Sequence, residues 1–283
     1  VELSITEGVS LAVNSSSSST KIKCISSDEF PLIPKMEKGQ EFSCGVNDLY
    51  DAITRVDFAA SVNTSRPVLS GVLFYSSAGS MKLVATDSYR LAEKTVKTLK
   101  KVEEEISCIV PSRTLMELAK ILTKAEGKEV RVSASKNQIL FSIDGIELIS
   151  RLIEGKFPDY EKIIPSEGKT KLEVSIEDFS LVLKRVSLFA RENNNSVKLS
   201  ATNDGKLTVS SDETKVGEEK AEVLIKIDGE NNKIALNAQY LLDVLACIGD
   251  DKVLFLINDK SSPAVIKPVK DDGYVYVIMP LKA

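Results

Sequence analysis

Two aspartates are the side chains whose surroundings come closest to an acid–base site. Asp87 lies between a threonine and a serine, and Asp159 follows a Phe-Pro dipeptide. A general acid and base must reach one substrate together, yet neither aspartate has a second carboxylate at helical or strand spacing. We expect Asp87 to be a turn residue whose carboxylate accepts hydrogen bonds from nearby backbone amides. We expect Asp159 to pair with Lys156 or Lys162.

Other catalytic chemistry has little support in the sequence. There is no histidine, no glycine-rich phosphate loop and no Gly-x-Ser-x-Gly elbow, so the commonest general base and metal ligand is missing together with two common reactive motifs. The four cysteines are scattered without a Cys-x-x-Cys pair, which favours reduced, mostly buried thiols over disulfides. We therefore expect a protein that is not an enzyme and that needs neither a cofactor nor a metal.

Composition sets the broad class. The length of 283 residues predicts about two domains, and a chain with 43% hydrophobic and 28% charged residues is typical of globular proteins. The formal charge of −4 argues against a protein that binds nucleic acid through bulk positive charge. No apolar run approaches the ~20 residues of a membrane span, and the first residues, VELSITEGV, lack the basic and apolar regions of a signal peptide. We expect a cytoplasmic protein.

The elements that would position functional side chains form an internal repeat. The stretch Arg151–Pro165, RLIEGKFPDYEKIIP, returns in shorter form as Asp28–Pro34, DEFPLIP, and the two Phe-Pro pairs are 127 positions apart (157 − 30). From residue 42 the pattern is strand, helix, three strands, helix, three strands, and the same order returns after residue 170. Residues 1–35 match only the last quarter of this unit, so roughly 90 residues of an earlier unit, including both its helices, are expected to be absent.

We accordingly predict a remnant of a first repeat at residues 1–35, a second repeat at 41–166 and a third at 170–283. Four helices are predicted from apolar residues at helical spacing, with Pro111 opening the second and Asn237 capping the fourth. The four apolar faces are expected to hold Val46, Leu49, Tyr50 and Ile53; Leu115, Leu118, Ala119 and Leu122; Ile176, Phe179, Leu183, Val186 and Ala190; and Leu241, Val244, Leu245 and Ile248.

Five phrases carry a family resemblance. These segments occur along the chain in the same order as in one known family. They are Arg66–Phe74 (RPVLSGVLF), Val84–Ala92 (VATDSYRLA), Arg151–Tyr160 (RLIEGKFPDY), Asn237–Leu245 (NAQYLLDVL) and Val277–Leu281 (VIMPL). Together they make the chain resemble the bacterial sliding clamps, the beta subunits of DNA polymerase III. The resemblance implies an α+β fold of tandem DNA-clamp domains, each with two helices packed against antiparallel sheets.

The resemblance also implies a function. Two clamp chains close head to tail into a ring around duplex DNA, with helices lining the hole, and the ring acts as a processivity factor for the replicative polymerase. The partners implied are duplex DNA held without regard to sequence, the polymerase, the clamp loader and other proteins with a clamp-binding motif. The intact form is expected to be a homodimer. Because residues 1–35 are only a remnant of the first domain, a chain of these 283 residues is expected to be monomeric.

Basic residues on the predicted helices are expected to face the DNA. Each of them alone fits a solvated helix surface equally well, and the first helix is net acidic. In a closed ring, however, weak and sequence-blind phosphate contacts favour sliding, so the acidic total is no contradiction. The residues are Arg113, Lys120, Lys124, Lys184, Arg185 and Arg191.

By resemblance, a groove for partner peptides lies between the second and third repeats. Its residues combine an apolar floor, an aromatic rim, a flexible methionine and a few polar anchors, a mixture that suits peptide recognition. They are Leu69, Thr86, Ser88, Tyr89, Arg90, Leu91, Pro158, Lys162, Ile163, Asn237, Tyr240, Pro263, Val277, Ile278, Met279, Pro280 and Leu281. The alternative is a binding module that uses the same groove without enclosing DNA.

Overall fold

The computed structural model describes residues 1–6, 9–29, 39–63, 65–77, 79–100, 105–215 and 217–281. They belong to two compact units, residues 1–37 and 38–283. The shorter of the two repeated phrases, DEFPLIP, lies outside the described residues from Phe30 onward.

The first unit contains an antiparallel meander of three strands, β1 (Glu2–Thr6), β2 (Ser10–Asn14) and β3 (Ser19–Lys23). A serine turn joins β2 to β3, because the Ser15 amide donates to the Ser18 carbonyl at 2.8 Å. A single 3-10 turn follows at Ser27–Glu29.

The second unit carries four α-helices and sixteen strands within its described residues. The helices are α1 (Val46–Val56), α2 (Ser112–Leu122), α3 (Ile176–Ala190) and α4 (Ala238–Cys247). The strands are β4 (Gln40–Gly45), β5 (Gly71–Ser77), β6 (Ser80–Thr86), β7 (Arg90–Lys97), β8 (Ile106–Pro111), β9 (Glu129–Ala134), β10 (Gln138–Ile143), β11 (Ile146–Arg151), β12 (Thr170–Ser175), β13 (Ser196–Thr202), β14 (Lys206–Ser210), β15 (Lys220–Gly229), β16 (Asn232–Asn237), β17 (Lys252–Ile257), β18 (Ala264–Pro268) and β19 (Tyr274–Ile278).

The helix starts follow local sequence signals. The Asn237 side chain accepts hydrogen bonds from the amides of Gln239 and Tyr240 at 2.9 and 3.2 Å, which confirms the predicted cap of α4. The Ser175 hydroxyl accepts from the Asp178 amide at 3.3 Å and caps α3 in the same way. Helix α2 begins directly after Pro111, as predicted.

The apolar faces of the helices form the main core, with α1 packed on α2 and α3 packed on α4. One predicted core position is wrong: Tyr50 is 38% exposed. It lies next to Leu49 in the chain and is therefore turned about 100° around the helix axis from it. Ala52 and Val56 fill the buried face of α1 instead.

Two sheets lie around these helices. One has the order β11–β10–β9–β4, and the other has twelve strands in the order β16–β13–β14–β15–β12–β17–β18–β19–β7–β6–β5–β8. The junction of β19 with β7 joins the third repeat to the second by an antiparallel ladder. The twelve-stranded sheet is therefore continuous across the boundary between the repeats.

The segment that connects the two repeats, residues 152–165, packs on the twelve-stranded sheet; we call it the strap. Along β5, β6 and β7, successive side chains alternate between the helix side and the side of the strap. A second apolar cluster forms on the strap side from Leu73, Val84, Leu91, Ile109, Phe157, Tyr160, Leu256, Val265 and Val277.

The four cysteines are free thiols, as predicted, but they are not uniformly buried. Cys44 is buried, and burial raises its pKa to about 12. Cys24, in contrast, is exposed, and it follows β3, a strand whose residues are all exposed. Among the described helices, none combines the length and the apolar character needed to cross a membrane.

Candidate functional site

The candidate site lies at one end of the ladder between β7 and β19. The ladder pairs five residues of each strand, from Arg90 opposite Ile278 to Lys94 opposite Tyr274. Beyond Ile278 the chain continues along the turn before β7, since the Met279 amide donates to the Tyr89 carbonyl at 2.8 Å. The end of the third repeat is thereby held beside the β6–β7 turn of the second.

The β6–β7 turn is fixed by its own side chains. Asp87 Oδ1 accepts from the amides of Tyr89 and Arg90 at 2.9 and 3.0 Å, which confirms the predicted role of this aspartate. The Thr86 hydroxyl donates to the Arg90 carbonyl at 2.7 Å and accepts from the Ser88 amide at 3.1 Å. Ser88 has a φ of +80°, a conformation that side chains rarely adopt and that this bonding network maintains.

A mostly apolar pocket of about 150 Å³ opens beside this turn, and we call it the deep pocket. Its floor comes from the sheet and one wall comes from the strap. It is lined by Leu69, Thr86, Ser88, Arg90, Leu91, Pro158, Asp159, Tyr160, Ile163, Val277 and Met279.

The strap wall is held mainly by aromatic packing, and two ion pairs, Asp159–Lys162 and Lys82–Glu161, also involve its residues. The rings of Phe157 and Tyr160 meet edge to face with centroids 6.2 Å apart. Burial, and then the neighbouring Glu93, raise the pKa of Tyr160, so its hydroxyl stays protonated. Asp159 pairs with Lys162 at 2.5 Å, the second of the two partners predicted for it. This pair is exposed and adds little to stability.

A wider and more polar depression of about 510 Å³ adjoins the deep pocket, and we call it the outer pocket. The two share Leu69, Ser88 and Arg90. The other residues that line the outer pocket are Ala60, Ser61, Val62, Asn63, Ser65, Arg66, Asp87, Tyr89 and Tyr240. A ligand longer than one side chain can therefore occupy both pockets without a break.

Arg90 lies at the border of the two pockets and is the most heavily bonded side chain there. It donates to Asp87 at 3.1 Å, to Asp243 of α4 at 2.5 Å and to the Phe58 carbonyl at 2.7 Å. Its guanidinium also lies 4.3 Å from the centre of the Tyr240 ring. The side chain is only 11% exposed, so it joins both repeats and presents a fixed edge to the groove.

The structure brings most of the predicted groove residues to these two pockets, and places the others nearby in different settings. Asn237 caps α4, and Ile278 is fully buried in the core. The Leu281 amide donates to the Ala235 carbonyl at 2.8 Å, which ties the chain end to β16. Lys162, Pro263 and Pro280 are not part of either pocket lining.

Some residues that line the pockets were not predicted. In the deep pocket they are Asp159 and Tyr160, and in the outer pocket they include Arg66. The first two lie within the repeated Phe-Pro phrase, whose aromatic residue after Pro-Asp was a usable signal. Asp243, which pairs with Arg90 across 153 positions, had no local signal.

The six basic residues predicted to face DNA are all exposed. Arg113 and Lys120 are in α2, with Lys124 just beyond its end, while the other three are in α3 or follow it directly. Lys120 pairs with Glu117 at 2.9 Å, and Arg185 pairs with Glu219. On α1 the only basic residue, Arg55, is engaged by Asp51 and Asp271, so α1 presents an acidic surface.

Across the ranges that the structure describes, no group of three or more cysteine or acidic side chains is arranged to hold a metal ion.

Comparisons with known proteins agree with this geometry. The family model for the DNA polymerase III beta subunit, central domain, matches residues 45–159, and the model for its C-terminal domain matches residues 161–282. The beta sliding clamp of Staphylococcus aureus is 31% identical over all 283 residues, which span 74% of that protein. These matches point to one family throughout the second unit.

Two solved structures show the same fold. The DNA polymerase III beta subunit of Thermotoga maritima superposes with a TM-score of 0.92 at 30% identity, over 99% of this chain and 76% of that one. A sliding clamp of Pseudomonas aeruginosa bound to griselimycin gives 0.92 at 28% identity, over 98% and 75%. The predicted α+β fold, with helices packed against antiparallel sheets, is confirmed.

Proposed function

The chain belongs to the family of DNA polymerase III beta subunits, the beta sliding clamps, which are processivity factors, and we propose that its groove docks short peptide segments of the replicative polymerase. The groove is the deep pocket together with the outer pocket. The observation that supports this most directly is that an apolar pocket takes walls from both repeats and continues into an open polar depression. Such a shape suits an extended peptide with one or two large apolar side chains.

The proposal includes how such a peptide would be held. Leu91 and Val277 supply an apolar floor, and Met279 can adjust to side chains of different shape. Arg90 and the strained β6–β7 turn are fixed before any ligand arrives, so binding does not have to order them. The peptide itself would become ordered on binding, and we therefore expect moderate affinity.

The proposal extends to the ring. We infer clamp domains at residues 41–166 and 170–283, with residues 1–35 belonging to a first clamp domain, and the family-model matches at 45–159 and 161–282 support the two later domains. In this arrangement the exposed cations on α2 and α3 face duplex DNA and make weak, sequence-blind contacts. The clamp loader and other proteins with a clamp-binding motif would use the same groove. The homodimeric ring would belong to the intact form of the clamp, and it would carry out no catalytic step itself.

A crossed experiment tests the groove and the DNA face together. One variant is Met279→Ala, and the other combines Lys124→Ala, Lys184→Ala and Arg191→Ala. Each is titrated with a polymerase-derived peptide carrying two large apolar side chains, and separately with linear duplex DNA over a salt series. Met279→Ala should weaken the peptide about tenfold, as expected for a central anchor. The triple variant should leave the peptide unchanged and reduce the salt slope of DNA binding by about 0.9 for each phosphate that is no longer neutralised.

The two variants test the peptide site and the DNA-facing residues separately. Equal peptide affinity for Met279→Ala and the unaltered chain would place the partner site elsewhere. Unchanged DNA binding by the triple variant would remove these cations from the DNA face without affecting the groove. Circular dichroism of each variant, compared with the unaltered chain, controls for loss of fold.

A further inference from the structure

The far end of the β7–β19 ladder carries a second set of ion pairs that does not touch the groove. Asp271 lies in the connection between β18 and β19 and belongs to the third repeat. Its carboxylate accepts from Lys94 of β7 and from Arg55 of α1, the latter at 3.0 Å. Arg55 is held in turn by Asp51 at 2.7 Å. Asp271 is thus the member of this cluster that comes from the third repeat.

The two cations of this cluster are largely shielded from water, and the two carboxylates are partly exposed. The side chains of Arg55 and Lys94 are 14% and 11% exposed. Two cations face two anions, so the cluster is balanced, and removal of Asp271 would leave the two cations with only the more exposed Asp51. Breaking one partner of a shielded pair is much more costly than losing a surface pair.

The backbone around Asp271 makes the contact rigid. Its second carboxylate oxygen accepts from the Gly273 amide at 2.9 Å, and the Gly273 carbonyl accepts from the Thr95 amide at 2.7 Å. The Tyr274 hydroxyl, fully buried, donates to the Arg55 carbonyl at 3.0 Å. Partial burial works to raise the pKa of Asp271, but the bonds from Lys94 and Gly273 outweigh it and hold that pKa below its usual value. The carboxylate is therefore charged and is held by three hydrogen-bond donors.

The position of this cluster matters because the ladder is short. Four steps separate Arg90 from Lys94, a distance of roughly 14 Å along the strand at ~3.4 Å per residue. The groove at the Arg90 end takes Thr86 and Leu91 from one repeat and Val277 and Met279 from the other. Two strands held at one end only can twist or shear against each other, whereas two strands held at both ends keep their side chains in register.

We propose that Asp271 is a positioning residue for the groove: by holding Lys94 and Arg55 it fixes the second repeat against the third and so sets the distance between the two walls of the deep pocket. The inference rests on the proposed peptide-binding function. It assigns a role in ligand affinity to a side chain that does not contact the ligand.

The test compares Asp271→Asn with two neighbouring aspartates as controls. Asp272→Asn changes an exposed carboxylate one position away, and Asp51→Asn changes an anion of the same cluster that does not link the repeats. The same polymerase-derived peptide is titrated at a temperature at which circular dichroism shows every variant folded. Asp271→Asn should weaken the peptide about fivefold, within the usual range for coupling through packed elements, and both controls should stay within about twofold. Lys94→Met tests the bridge from its other side and should give a similar reduction.

A double variant separates positioning from general damage to the fold. In the Met279→Ala background the third-repeat wall no longer offers its main apolar side chain to the peptide, so Asp271→Asn should then cost clearly less than fivefold. Full additivity of the two effects, or equal affinities for Asp271→Asn, Lys94→Met and the unaltered chain, would overturn the inference while leaving the groove in place. No peptide binding by the unaltered chain would overturn the proposed function, and this inference with it.

Discussion

Ion pairs link the two repeats at both ends of the β7–β19 ladder, but the shared side chain is a cation at one end and an anion at the other. At the groove end one cation, Arg90, is shared by Asp87 of its own turn and Asp243 of the other repeat. At the far end one anion, Asp271, is shared by Arg55 and Lys94. In each case a single side chain crosses the boundary between the repeats and is held by two groups of opposite charge.

The ends differ in what surrounds them. Arg90 lies under Tyr240 and borders two pockets, so its bonds stabilise a surface that is open to ligands. Asp271 borders neither pocket, and its carboxylate is bonded by α1, β7 and its own turn. A five-residue ladder between repeats is therefore not held by backbone hydrogen bonds alone. Ion pairs hold it at both ends, and the groove is open at only one of them.

The largest expected effect is at the groove end. Arg90→Ala leaves Asp87, Asp243 and the Phe58 carbonyl without their shared donor, and it should lower the free energy of unfolding by about 3 kcal/mol. Urea denaturation followed by circular dichroism measures the change. The matched control is Arg185→Ala, whose side chain is 58% exposed and pairs with Glu219, and it should stay within about 0.5 kcal/mol. Similar destabilisation by the two substitutions would show that Arg90 is not a junction residue.

A smaller effect is expected at the far end from one hydroxyl. Tyr274→Phe keeps the buried ring and removes the hydroxyl, which donates to the Arg55 carbonyl and lies 3.6 Å from the Cys247 sulfur, so it should lower the free energy of unfolding by about 1 kcal/mol. The same urea denaturation measures it. The control is Tyr50→Phe on the exposed side of α1, which should be neutral. If both substitutions are neutral, the hydroxyl does not contribute to holding α1 against the third repeat.

The smallest expected effect is the pH dependence of the stability that the Asp271 carboxylate contributes at the far end. Because the pKa of Asp271 is lowered in the folded chain, its ion pairs add stability above the unfolded pKa of about 3.9, and this contribution is lost as the pH falls through the lower folded value. The difference in unfolding free energy between the unaltered chain and Asp271→Asn should therefore narrow by about 0.5 kcal/mol between pH 6 and pH 3. Urea titrations at several pH values measure it. A difference that widens on acidification would mean that the carboxylate is not held in its charged form.

Much of the local structure could be predicted because its causes are local. Apolar residues at helical spacing indicated the four helices, and Asn237 indicated the start of one of them. The bonding of Asp87 to the amides two and three residues ahead follows from the short side chain of aspartate in a turn. The prediction for Tyr50 was wrong because the local pattern was not sufficient there. A residue at the edge of an apolar stripe is buried only if a neighbouring element covers it.

The amino-acid sequence was enough to establish the helices, the repeated order of elements and the family to which the chain belongs. The prediction of three strands between the two helices of each repeat was wrong, because the structure has four, and β7 and β16 are the strands that were missed. Only the folded chain shows which strand of one repeat pairs with which strand of the other, and hence where the pockets lie. Strand pairing depends on contacts between distant residues, and an apolar alternation fits many partners equally well. The bonds from Arg55 and Lys94 to Asp271 span 216 and 177 positions. No spacing along the chain indicates such pairs, because the charges are brought together by the pairing of β7 with β19 and not by the local sequence.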